Sequence, residues 1–157
     1  MIQLAEALAG VKRLGVDTAP VIYFVEAHPR HGPVMLEIVR RMDAGGLRGI
    51  TSVITLLEVL TQPMKLGATA LLAQYEEVLL NSQSFETVDI DSELAVVGAS
   101  LRARYNLRTP DALQVAAALR AGCEAFLTND VGLRRVNELR VIVLDDLASV
   151  EPGPRKA

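Results

Sequence analysis

Four acidic residues occupy positions where a carboxylate could do more than face water. Asp17 closes the run RLGVD and precedes the helix start TAP, while Glu58 lies inside SVITLLEVL. Asp111 follows Pro110 in the first turn of a helix, with Thr109 ahead of it as a natural cap, and Asp130 follows EAFLTN. Three of them have plain structural roles available. Asp17 and Asp111 suit the positive end of a helix dipole, and Asp130, next to Asn129, tolerates turn geometry. Glu58 is harder to place, because Ile54 and Leu57 share its helical stripe and Leu56, Val59 and Leu60 fill the neighbouring one. A carboxylate hemmed in by apolar side chains is costly without a partner, and Lys65 is two turns away. Gathered in one pocket, the four acids would repel one another and could not all stay ionised at neutral pH without a compensating charge. Oxygen-only ligation of this kind suits hard cations such as magnesium or manganese. Zinc is not expected, because His28 and His31 flank Pro29 and precede Gly32, which reads as a loop.

The elements that must position these acids alternate along the chain. β-like runs occur at RLGVD, RGIT, FETVDI, EAFLT and RVIVL. Helical periodicity covers residues 20–28, 33–44, 53–80 with a break at Pro63, 91–104, 110–121 and 130–137. Strands separated by helices imply right-handed crossovers, hence an α/β fold with a parallel sheet of about five strands covered on both faces. In such a sheet ligands gather beyond the carboxyl ends of the strands, where Asp17 and Asp130 fall. One domain is expected over residues 1–150, with EPGPRKA at 151–157 as a flexible tail.

Composition narrows the function classes. Half of the 157 residues are hydrophobic, enough for one compact domain with a sizeable core. The single cysteine, Cys123, cannot form an internal disulfide and reads as a core filler after Gly122. The N-terminal run lacks the charge and apolar stretch of a secretory signal, and no run is long enough to span a bilayer. A cytoplasmic protein is expected. The net charge of -3 argues against non-specific coating of nucleic acid but leaves room for a local basic patch. Arg102, Arg104 and Arg108 cluster before the Asp111 helix, as a solvated face or as RNA contacts. Rival acidic-pocket enzymes fit poorly. A haloacid-dehalogenase-like phosphatase needs an aspartate two positions after Asp17, where Ala19 stands, and a receiver domain needs a lysine after a late strand. Neither a P-loop nor a GxGxxG run is present.

The segments VDTAPVIYFVE, ITSVITLLEVL, RTPDALQVAAALRAG and FLTND together resemble those of PIN-domain ribonucleases, in particular the VapC-type toxins of toxin–antitoxin pairs. The likeness spans roughly residues 14–147. It implies a parallel sheet with helices on both sides, and Asp17, Glu58, Asp111 and Asp130 as metal-binding and catalytic acids. It further implies that Thr128 shapes the pocket, that magnesium or manganese is the cofactor, and that RNA is the substrate. An antitoxin and a second copy of the chain would be its partners. Residues 1–12 are an extra segment relative to many such toxins. By this likeness, a metal-bound water would supply hydroxide near the scissile phosphorus. The alternative is an inactive scaffold that only binds protein or RNA, but such a scaffold would usually have lost one of the acids. Leucines on more than one face of residues 53–80 and a mean hydropathy of +0.28 suggest an interface there for the homodimer and the antitoxin.

Overall fold

The computed structural model describes residues 1–150, so the tail expected at 151–157 lies outside the described residues. Five parallel strands form one sheet: β1 (Arg13–Val16), β2 (Arg48–Ser52), β3 (Phe85–Val88), β4 (Ala125–Thr128) and β5 (Arg140–Val143). Their order is β3-β2-β1-β4-β5. The chain therefore winds outward in one direction through β2 and β3, then returns to the other side of β1. The reversal falls between β1 and β4, the place where an open α/β sheet leaves a crevice at its carboxyl edge.

Seven α-helices occur among the described residues. They are α1 (Leu4–Ala7), α2 (Thr18–Val25), α3 (Gly32–Asp43), α4 (Val53–Leu66), α5 (Thr69–Glu76), α6 (Ser92–Tyr105) and α7 (Thr109–Arg120). Because side chains alternate across a strand, the sheet feeds two cores. Leu14, Val16, Ala125 and Leu127 join Val21, Met35 and Ile38 on one face. Ile50 and Phe126 join Leu94, Leu101 and the buried stripe of α7 on the other, where Cys123 also packs. Burial pushes the Cys123 thiol up to about 12, as befits a core filler. The alanine run of α7 has a specific purpose. Gly15 on β1 faces it so closely that a Cβ there would lie 2.6 Å from Ala118 Cβ and 2.8 Å from Phe126 Cδ2. Small residues on both sides let α7, and Asp111 at its start, press against the central strand.

The structure departs from the sequence-based expectations at several points. Pro63 does not break its helix. Thr55, Val59 and Pro63 make up the buried residues of α4, so the ring contributes packing where it removes one backbone donor. The helix stops instead at Gly67, whose φ of 63° ends it in a left-handed turn. Thr109 is not the cap of α7. Arg108 holds that position without a side-chain cap bond, and Thr109 and Pro110 form the first turn. The segment expected as a helix over 130–137 is a 3-10 turn at Val131–Arg135. Residues 1–12 pack against the rest of the fold. Leu4, Ala7, Leu8 and Val11 are buried in the first core, and Ile2 bridges to Leu147. The Arg140 guanidinium donates to the carbonyls of Ala7 and Ala9 at 2.8 and 3.0 Å. His28 and His31 lie in the turn before α3, but His31 is buried with Nε2 2.9 Å from Asp145. No helix of the described residues is long and apolar enough to cross a membrane.

Candidate active site

Asp17 leaves β1 in extended conformation and caps α2. Its Oδ1 accepts from the Thr18 N–H at 2.8 Å, and its Oδ2 accepts from the Thr128 hydroxyl at 2.7 Å. The fully buried Thr128 ends β4, and its oxygen also accepts the Asp130 N–H at 3.0 Å. One hydroxyl thus ties the first acid to the loop that carries the last. Asp130 caps the 3-10 turn by accepting from Gly132 N at 2.8 Å. Asp111, in the first turn of α7, pairs with the exposed Arg108, Nε to Oδ2 at 3.0 Å.

Glu58 corrects the expectation of a hemmed-in carboxylate. It is exposed on α4, and its neighbour Leu57 is 66% exposed, so the apolar stripe read around Glu58 is partly solvent-facing. The carboxyl still reaches the pocket.

All four acids line one pocket of about 480 Å³ at the crevice between β1 and β4, together with Thr18, Tyr23, Arg108, Gln114, Thr128 and Asn129. Burial pushes the Asp17 carboxyl above its usual range, more strongly than the bonds from Thr128 and Thr18 hold it down, and the charges of Asp111 and Asp130 push the same way. Partial burial also raises Glu58, with Asp17 and Asp111 adding to the effect and Arg108 opposing it. The pocket is therefore one in which carboxylate charge is held at a cost. The oxygen-only donor set fits a hard divalent ion. As the side chains stand, each acid of the sheet edge is met by a protein donor, and no group of three or more His, Cys, Asp or Glu among the described residues converges closely enough to hold a metal.

The three arginines do not act as one cluster. Arg108 alone of them lines the pocket. The Arg102 Nε donates to Leu107 O at 2.9 Å and closes the α6–α7 connection. Arg104 pairs with Glu138 and sits 5.9 Å over the Tyr105 ring. Sequence reasoning missed Thr18, Tyr23, Gln114 and Asn129. Gln114 was the most accessible of these, because it stands three residues after Asp111 and so on the same helical face.

A family model described as PIN domain matches residues 15–139. Among solved structures, DNA-bound VapBC from Salmonella typhimurium is similar, with 21% identity and a TM-score of 0.66, covering 85% of this chain and 98% of that one. VapBC2 from Rickettsia felis bound to a promoter DNA fragment has 14% identity and a TM-score of 0.64, covering 83% and 98%. A toxin–antitoxin complex from Klebsiella pneumoniae has 20% identity and a TM-score of 0.59, covering 85% and 98%. At these identities the likeness is one of fold. No curated protein matches the chain in sequence.

Proposed function

Because this chain belongs to the PIN domain family, we propose that it is a magnesium- or manganese-dependent endoribonuclease, the toxin of a toxin–antitoxin pair. The observation that carries the reading is the pocket itself: acids from four separate segments line it at the sheet's switch point, where burial and the charges of Asp111 and Asp130 raise Asp17. Asp17 and Asp111 are the principal ligands in this reading, with Glu58 and Asp130 completing the shell. When bound, a divalent ion supplies the compensating charge and makes a bound water acidic enough to serve as hydroxide at neutral pH. The protein's own part is to hold and orient. Thr128 and the Thr18 N–H fix both oxygens of Asp17. Arg108, at the exposed mouth and shared with Asp111, is the group that meets an incoming phosphate. Cleavage of RNA should require added magnesium or manganese, stop on chelation and resume on re-addition. Cleavage that survives chelation would refute the metal dependence, and RNA binding without cleavage would restore the scaffold reading.

RNA steering divides unequally among the arginines. Arg108→Ala should weaken RNA binding and lower the slope of log affinity against log salt by about 1. Arg102→Ala and Arg104→Ala should do less, because their guanidinium groups are engaged within the protein. Anisotropy titrations on the non-cleaving Asp17→Asn background at several salt concentrations measure this, and an unchanged slope for Arg108→Ala returns it to a solvated role.

The partner surface of this reading is the helical region over residues 53–80, which comprises α4, α5 and the start of the π-helical turn Glu77–Asn81. Leu57, Met64, Leu66 and Leu80 are each more than half exposed there. Isolated apolar side chains are ordinary, but a series along one helical region fits an interface, shared here by an antitoxin segment and a second copy. A chain that remains monomeric by light scattering at micromolar concentration would overturn the homodimer.

A further inference from the structure

Beneath the acidic pocket lies a buried chain of hydrogen bonds centred on Gln114, a residue only 3% exposed. Its Oε1 accepts from the Ser52 hydroxyl at 2.5 Å, and its Nε2 donates to Thr55 Oγ1 at 2.5 Å and to Thr18 Oγ1 at 3.4 Å. Thr18 and Thr55 are 3.0 Å apart, Thr55 and Thr51 are 2.9 Å apart, and Thr51 reaches the Val16 carbonyl at 2.9 Å. Ser52 already accepts the Ile54 N–H at 3.1 Å as the cap of α4, so its own hydrogen goes to Gln114. The Thr51 hydroxyl is the donor towards both the Val16 carbonyl and Thr55 Oγ1, a shared hydrogen bond. Thr55 Oγ1 accepts from the Gln114 amide and from Thr51, and it shares a further hydrogen bond with Thr18. Among the described residues no buried side-chain polar atom lacks a partner.

We propose that Gln114 is a positioning residue for the acidic site. Its amide joins three separate elements at the places where they carry the acids. Thr18 follows Asp17 at the start of α2, Thr55 lies one turn before Glu58 on α4, and Gln114 lies one turn after Asp111 on α7. Only a side chain with a carbonyl at one corner and two N–H groups at the other satisfies Ser52 on one side and the two threonines on the other. An apolar residue of similar size would leave the Ser52 hydroxyl without its acceptor and take the amide donor away from Thr55 and Thr18. The helix starts would then shift by the few tenths of an ångström that ligand sets do not tolerate. The inference rests on the metal-dependent reading above.

Binding of manganese alone, followed by the paramagnetic signal of the free ion, tests it without reference to turnover. With the protein folded well below its melting temperature, Gln114→Leu should bind manganese at least about tenfold more weakly than the unaltered chain, as substitutions behind a ligand shell do. Unchanged affinity in folded Gln114→Leu overturns the proposal and leaves Gln114 as a core hydrogen-bonding residue. Should Gln114→Leu fail to fold, Thr55→Val, which keeps side-chain volume and removes the amide's principal acceptor, decides by the same criterion. Failure of the underlying reading gives a different result: the unaltered chain binds no manganese, or binds it no better than Asp17→Asn.

Discussion

Replacing Asp17 with asparagine should abolish RNA cleavage, by a factor on the order of 10² to 10³ or more, and leave the metal-free protein at least as stable as before. The two effects have opposite signs for one reason. The folded-state pKa of Asp17 is raised, chiefly by burial and further by Asp111 and Asp130. Keeping it ionised therefore costs stability at neutral pH, and the cost disappears as pH falls through the raised folded value towards the ordinary carboxylate value of about 3.9. Asparagine removes that cost while retaining an oxygen to accept from Thr18 N or Thr128. Over the same pH window the unaltered chain should gain stability on acidification from this group, and Asp17→Asn should lose that gain. Asp111→Asn should be equally inactive, with a smaller stability change. It gives up a pair with the exposed Arg108 and a charge at a helix start, each worth about 1 kcal/mol or less. In return it relieves repulsion with Asp17. Thermal melts across pH, with and without manganese, beside a cleavage assay, measure both. A variant that melts lower yet still cleaves RNA would sink the assignment.

The ease of reading this site from sequence follows from where each residue's information resides. Asp17, Asp111 and Asp130 stand at strand ends and a helix start, so local pattern and the crevice rule were enough to bring them together. The parallel sheet was legible for the same reason, since β-like runs separated by helices imply crossovers, whereas the strand order was not. What failed was whatever depends on tertiary packing. Pro63 reads as a break because a lone proline removes a donor, but its ring is buried with Thr55 and Val59 and the helix runs on to Leu66. Glu58 reads as enclosed because Leu57 flanks it, yet Leu57 faces solvent. The three arginines read as one patch because they are close in sequence, while their partners, Leu107 O, Glu138 and Asp111, lie in different directions. Gln114 carries no local signal beyond helical spacing, because its threonine partners lie 59 and 96 residues away.

Removing residues 1–11 should cost much of the domain's stability. The sequence marks this segment only as an extension before β1, whereas the structure buries Leu4, Leu8 and Val11 to within 7% of full enclosure and Ala7 nearly as far. Burial of one large aliphatic side chain contributes roughly 1.5–3 kcal/mol, so the three larger ones together contribute roughly 4–9 kcal/mol, against a typical domain stability of about 5–15 kcal/mol. The loss would extend to the site. Ile2 N donates to Asp146 O at 2.9 Å and Ile2 O accepts from Ala148 N at 2.8 Å, pinning the 3-10 turn at Leu144–Asp146. In that turn Asp145 N donates to Asn129 Oδ1 at 3.0 Å, and Asn129 lines the acidic pocket. The milder Leu8→Ala, costing about 2–5 kcal/mol as a cavity in a packed core, should lower the urea midpoint with little change in slope. The truncated chain should unfold at far lower urea or fail to fold at all. If it melts where the full chain does, residues 1–11 are an appendage, and the rim of the site is held by the sheet alone.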